Sequence, residues 1–255
     1  MTTTRTDSYR AVIEEGGGAQ PLVFVCEHAS RAIPAKWGDL GLGEAALLSH
    51  IAWDPGALNL ARGLARALGA WLVHGPVSRL VCDLNRSPDQ PGAMPARSEV
   101  FDIPGNARLA GADRAARTKA VYQPFHADLA ALIAQRLALG VVPVIITVHS
   151  FTPVWHGTPR RVEFGVIHDA DPRLATGIVA AAQGSGLETV LNQPYSAADG
   201  VTHLLRLHAT PYGLQNAMLE VRNDLIATPE AAQAMALRLA PMVSRAMAVN
   251  PAEVA

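Results

Sequence analysis

The chain has 255 residues, of which 49% are hydrophobic and 17% charged, with a formal net charge of −1. This length allows one or two domains, and the apolar fraction is too high for a disordered chain. The near-neutral charge lacks the basic footprint of a nucleic-acid binder, so no nucleic acid is expected as a partner. Gly and Pro together make about 15% of the chain, which excludes collagenous and low-complexity classes.

Taken in chain order, residues 1–19 hold no apolar core and no secretory pattern; they are expected to be loose, with Gly16-Gly17-Gly18 as a turn. Strands are expected over 21–28 (PLVFVCEH), 70–74 (AWLVH), 78–85 (SRLVCDLN), 141–150 (VVPVIITVHS), 163–168 (EFGVIH), 188–191 (ETVL) and 217–222 (AMLEVR). These runs are continuous rather than alternating, as in strands covered on both faces. Helical spacing fits 44–51, 55–68, 113–139, 172–182 and 229–248. Asp54-Pro55, Asp171-Pro172 and Thr228-Pro229 each read as a cap followed by proline, and Pro241 is expected to kink or end the last helix. Residues 86–105 read as a long loop, and those after Asn250 as loose. The alternation predicts one α/β domain over 1–255 with helices on both faces of a mixed sheet.

No window of about 20 apolar residues exists, so no membrane span is expected. Cys26 and Cys82, the only cysteines, both sit in apolar runs and are expected as thiols in a reducing, cytoplasmic setting.

The polar residues fall where the strands end. Glu27-His28, Asp83 to Arg86, His149-Ser150 and Glu220 to Arg222 all close predicted strands, and such ends converge on one crevice in an open α/β sheet. A His-Glu-x-x-His motif, a Gly-x-Ser-x-Gly elbow and a Walker loop are all absent. A metal site would therefore be assembled from distant segments.

Seven segments together carry a resemblance. They are Cys-Glu-His-Ala-Ser…Ile-Pro at 26–34, His50-Ile-Ala-Trp-Asp54, Ser78-Arg-Leu-Val-Cys-Asp-Leu-Asn-Arg86 and Tyr122-Gln-Pro-Phe-His126. They continue with His149-Ser-Phe-Thr-Pro153, Gly165-Val-Ile-His-Asp169 and Glu220-Val-Arg-Asn-Asp224. In this order, over roughly 20–226, the chain resembles the N-formylglutamate amidohydrolase family. The Asp-Leu-Asn-Arg stretch is also similar to one in aspartoacylases and succinylglutamate desuccinylases. The resemblance implies a zinc-dependent amide hydrolase with a three-layer α/β/α fold and a central mixed, largely parallel sheet, similar to the zinc carboxypeptidases (phosphorylase/hydrolase-like). It implies release of formate and L-glutamate from N-formyl-L-glutamate, in histidine degradation. A deacylase of another N-acyl amino acid or of a cell-wall amide, and a non-catalytic binding protein on the same fold, are the competing readings.

Beside the resemblance, the residues suggest roles. A catalytic zinc takes three protein ligands and keeps an open position. His28 and His149 are the first two ligands. In the carboxypeptidase relatives a carboxylate follows the first His by three residues, but that position here is Arg31. Asp54 is the choice for third ligand, against a competing role as helix cap, with Glu27 as the alternative. Glu220 is the candidate general base, its competing role an ion pair with Arg222. Arg79, Arg86, Asn85 and Arg222 are the candidates for binding substrate carboxylates. His50, at i, i+4 from Asp54, is a candidate for orienting a ligand or binding substrate. His126 and His168 are expected in packing or supporting roles, and Trp53 and Trp155 as pocket walls or core.

Overall fold

The computed structural model describes residues 8–248. Its centre is a seven-stranded sheet: β1 (Val12–Glu14), β2 (Leu22–Cys26), β3 (Trp71–His74), β4 (Val144–Phe151), β5 (Phe164–Ile167), β6 (Thr189–Leu191) and β7 (Asn216–Arg222). The spatial order is β1-β3-β2-β4-β7-β5-β6. The four central strands β3, β2, β4 and β7 run parallel. β1 pairs antiparallel with β3, and β5 antiparallel with β7, while β6 lies parallel to β5. This is the expected mixed, largely parallel sheet between two helical layers.

Both layers follow from the continuous apolar runs. In β2, Leu22, Phe24 and Cys26 face one core, and Val23 and Val25 the other. The first core is closed by helices α1 (Ala57–Leu68), α3 (Arg173–Ala181) and α5 (Pro229–Ala248). The second is closed by α2 (Gln123–Ala138), α4 (His203–His208) and the loops around them. Among the described residues no helix is long and apolar enough to cross a membrane. Cys26 and Cys82 are buried free thiols.

Several expectations are corrected. Residues 78–85 form no strand. Their apolar side chains are buried, but the backbone folds into successive turns: Val81 N bonds Ser78 O, and Asn85 N bonds the Asp83 carboxylate at 2.8 Å. Residues 8–19 are not wholly loose, because Val12–Glu14 pairs with β3; residues 1–7 and 251–255 lie outside the described residues. Gly17 and Gln20 do form the expected turn. α5 continues through Pro241 rather than ending there. Pro241 and Leu237, whose carbonyl loses its helical partner, both lie on the exposed face of the helix. The helix expected over 113–139 begins at Gly111 and carries a π-helical turn, Thr118–Tyr122, just before Pro124 removes a backbone donor. The segment expected as helix over 44–51 stops at Leu48.

Direction places the site. β2, β4 and β7 end at one edge of the sheet and bring Glu27-His28, His149 and Glu220 there. β5 runs the other way, with Ile167 opposite Met218, so His168 lies towards the far edge and bonds Asn192 instead.

Candidate active site

A cavity of about 440 Å³ opens at this edge, lined among others by His28, His50, Asp54, Arg79, Asp83, Arg86, His149, Tyr195 and Glu220. At its floor, one carboxylate oxygen of Asp54 lies 3.3 Å from His28 Nδ1 and 2.9 Å from His149 Nδ1. One donor atom from each of these three buried residues falls within 4.8 Å of the others. Two imidazoles and a carboxylate form a donor set that fits a divalent metal ion.

Asp54 does not cap the helix that follows. Its backbone N–H bonds His28 O at 2.9 Å, which ties the two segments together. The cap position is Gly56, at φ +81°, where a Cβ would lie 2.3 Å from Ile226 O. That frees the Asp54 carboxylate to turn inward.

Each imidazole is backed by a second carboxylate. His28 Nε2 lies 2.7 Å from Asp83 Oδ1. His149 Nε2 lies 3.2 Å from Glu27 Oε2, at ion-pair distance without hydrogen-bond alignment. Both rings therefore turn Nδ1 towards Asp54 and Nε2 towards an acid. Carboxylates in that position fix the orientation of a ligating imidazole. Glu27, the alternative third ligand of the sequence reading, thus stands behind His149 rather than beside Asp54.

The charges hold one another. Burial alone would lower the pKa of His149, but Glu27 and then Asp54 raise it well above the usual histidine value. Burial would raise Asp54, yet His28, His149 and Arg79 hold its carboxyl well below the usual range. Asp83 is likewise depressed against its burial by His28 and Arg79.

Glu220 is different. It is 5% exposed, sits on β7 directly across from His149, and lines the cavity. Its Oε2 finds no hydrogen-bond partner among the described residues. Burial, the largest cause, lifts its pKa to about 7. The competing ion pair with Arg222 is not formed: that guanidinium bonds Asp224 at 2.8 Å and lies 3.6 Å from Glu163. Arg222 does not line the cavity, so its expected part in substrate binding is not supported.

The N-formylglutamate amidohydrolase family matches residues 20–227. The chain belongs to this family. A crystal structure of a gene product from Agrobacterium tumefaciens is 49% identical over 96% of this chain and 97% of that one, with a TM-score of 0.92. The N-formylglutamate amidohydrolase of Ralstonia eutropha JMP134 is 18% identical over 94% and 98%, with a TM-score of 0.70, a likeness of fold. No curated protein matches the chain.

The other expected residues lie in the cavity wall or behind it. Arg79 spans two acids, at 3.2 Å from Asp54 and 2.9 Å from Asp83. Asn85 is spent on the loop opposite, accepting from Leu204 N at 2.9 Å and donating to Val201 O. Arg86 donates to Asp199 O at 2.8 Å and has no acidic partner among the described residues. His50 lies 3.0 Å from Glu99, whose φ of +51° is uncommon for a residue with a side chain. Trp155 lines the cavity, whereas Trp53 stands under the Arg31 guanidinium outside it. His126 packs away from the cluster, 2.8 Å from His208. Sequence reading assigned no role to Asp83, Tyr195 or Arg160. Asp83 lies in the Asp-Leu-Asn-Arg segment, whose sequence does not show that it is buried against His28. Tyr195 and Arg160 carry no local signal, since they come together only in the fold.

Proposed function

We propose that this protein hydrolyses N-formyl-L-glutamate to formate and L-glutamate, a step of histidine degradation, with a zinc ion held by His28, Asp54 and His149. The carrying observation is a buried carboxylate, Glu220, with an unpartnered oxygen beside a His-Asp-His donor set in one cavity. Zinc, when bound there, would polarise the scissile carbonyl and make a neighbouring water more acidic.

Glu220 supplies the general base. A carboxylate with a pKa of about 7 takes a proton from the attacking water near neutral pH and returns it to the leaving amine. Asp83 and Glu27 keep the imidazoles oriented. Arg79 is largely neutralised by Asp54 and Asp83, so it frames the site. Arg86, which lines the cavity and among the described residues bonds a carbonyl and no acid, takes a substrate carboxylate, with Asn85 holding the loop it leans on. His50 and its partner Glu99 shape the rim.

The cavity of about 440 Å³ supports a second reading, a deacylase acting on an N-acyl amino acid with a larger acyl group. Formyl-, acetyl- and succinyl-glutamate and -aspartate, assayed for released amine, separate the two. N-formylglutamate should give the highest kcat/KM. Preference for a larger acyl group would favour the second reading, and no amine from any of them would overturn both.

A further inference from the structure

We propose that Tyr195 is a catalytic residue whose hydroxyl donates a hydrogen bond to the substrate carbonyl oxygen as negative charge builds there, with Arg160 as its positioning residue. This rests on the amide-hydrolase reading above.

The geometry starts at the phenol. Both terminal nitrogens of Arg160 donate to the Tyr195 hydroxyl oxygen, each at 3.2 Å. A phenolic oxygen offers one proton and a limited acceptor capacity. With the guanidinium occupying the acceptor side, the proton remains to be given. No atom among the described residues accepts it, although Tyr195 lines the same cavity as Glu220 and the His-Asp-His cluster. Glu220 Oε2 also lacks a partner there. Two residues that line one cavity therefore carry an unspent donor and an unpartnered acceptor without bonding each other, as expected of groups that act on a ligand between them.

Arg160 is built to hold that hydroxyl. Its guanidinium carbon stacks over the rings of Trp155, Tyr195 and Phe151, at 5.0, 5.1 and 5.5 Å. No carboxylate lies within ion-pair distance of it among the described residues. An arginine stacked on aromatic faces, and not neutralised by an acid, keeps its full charge behind the phenol and strengthens it as a donor. Burial, and after it the charge of Glu220, keeps the hydroxyl protonated at neutral pH. A donor aimed at a developing oxyanion lowers the barrier more than it tightens substrate binding.

The test is Tyr195→Phe, which removes one oxygen and keeps the ring under Arg160. It should stay folded, melting only a few degrees below the wild type because Arg160 loses its acceptor. On the best substrate of the acyl panel, kcat should fall about 10²–10³-fold while KM stays within about threefold. Arg160→Met should lower kcat too, but add nothing in the Tyr195→Phe background, because it acts through that hydroxyl. Binding supplies a readout apart from turnover. A phosphinic analogue with a tetrahedral P(O)OH in place of the acyl carbonyl should bind Tyr195→Phe more weakly by the factor lost in kcat, while L-glutamate binds both proteins alike. Unchanged kcat, or a raised KM with unchanged kcat, would overturn the proposal; the second would make Tyr195 a substrate anchor. A further loss from Arg160→Met in the double variant would overturn the positioning role. If the wild type releases amine from no substrate, the functional reading fails separately, and equal analogue binding by wild type and Tyr195→Phe would then sink the hydroxyl's role.

Discussion

A buried carboxylate must be neutral, paired or hydrogen-bonded, and the acids of this site divide along that line. Asp54 and Asp83 are hydrogen-bonded to imidazoles and Arg79 and Glu27 stands at ion-pair distance from His149, whereas Glu220 keeps an oxygen with neither kind of partner. Glu220→Gln should therefore retain the metal and lose kcat by about 10²–10⁴-fold. Metal content and single-turnover rates check this, and an active variant would remove Glu220 from the chemistry. Asp83→Asn and Glu27→Gln leave the three ligands in place but take away the acids behind the rings. Each should weaken metal affinity about 10–100-fold in a competition titration with a chelator. Unchanged affinity would mean that these acids do not orient the imidazoles. The sequence showed that Asp54 precedes a helix, and an aspartate followed by proline reads as a cap. It could not show that Gly56 takes over the turn and that the carboxylate points inward. Side-chain direction at a junction depends on what packs against it, and Ile226 is 170 residues further on.

Elements legible from the sequence are those buried on both faces. β2, β4 and β7 each present an unbroken apolar run that closes in polar residues, and each brings one part of the site. β1 escaped notice because Val12 and Ile13 are exposed, at 41% and 38%, on a short edge strand. Residues 78–85 misled for the opposite reason. They are as buried as a strand, but the Ser78 hydroxyl accepts from Leu80 N and the Asp83 carboxylate from Asn85 N, which diverts the backbone into turns. One contact between elements can be tested directly. A Cβ on Gly165 of β5 would lie 1.9 Å from Gln193 O and 3.3 Å from Glu220 Cβ. Gly165→Ala should cost about 1–3 kcal/mol by overpacking. At roughly 2–4 °C per kcal/mol for a chain of this size, the melting temperature should drop visibly. It should also impair turnover, because the shift reaches both Glu220 and the loop bearing Tyr195. An unchanged melting temperature would mean that the loop yields freely.

At the scale of the whole molecule, the motif segments spread from 26 to 224 were legible because each follows the family pattern in order. The remaining wall of the cavity was not. Part of it is made by the loop carrying Tyr195 and by Trp155 of the short hairpin that pairs Val154–Trp155 with Thr158–Pro159, neither of which shows an apolar periodicity. Beneath the site a second histidine group packs the structure. His126 Nδ1 lies 2.8 Å from His208 Nε2, and His126 Nε2 bonds Leu84 O at 3.0 Å. Burial, the largest cause, lowers His126 to about 3 and His208 to about 4. Both are neutral when folded, while an unfolded histidine takes up a proton below about 6.5. The unfolded chain then binds more protons, so this pair lowers stability as pH falls from about 6.5 towards 4 and has no effect above that range. Urea unfolding should show a steeper acid loss in the wild type than in the His126→Gln, His208→Gln double variant. Equal slopes would mean that the pair is charged in the fold.

Everything proposed for the chemistry depends on His28, Asp54 and His149 holding one ion together. Diffraction data collected on either side of the zinc absorption edge from zinc-loaded crystals test this directly. The expected result is one strong anomalous peak per chain, within bonding distance of both Nδ1 atoms and the Asp54 carboxylate. No peak there, or a peak held by other residues with the His-Asp-His cluster closed on itself, would contradict it.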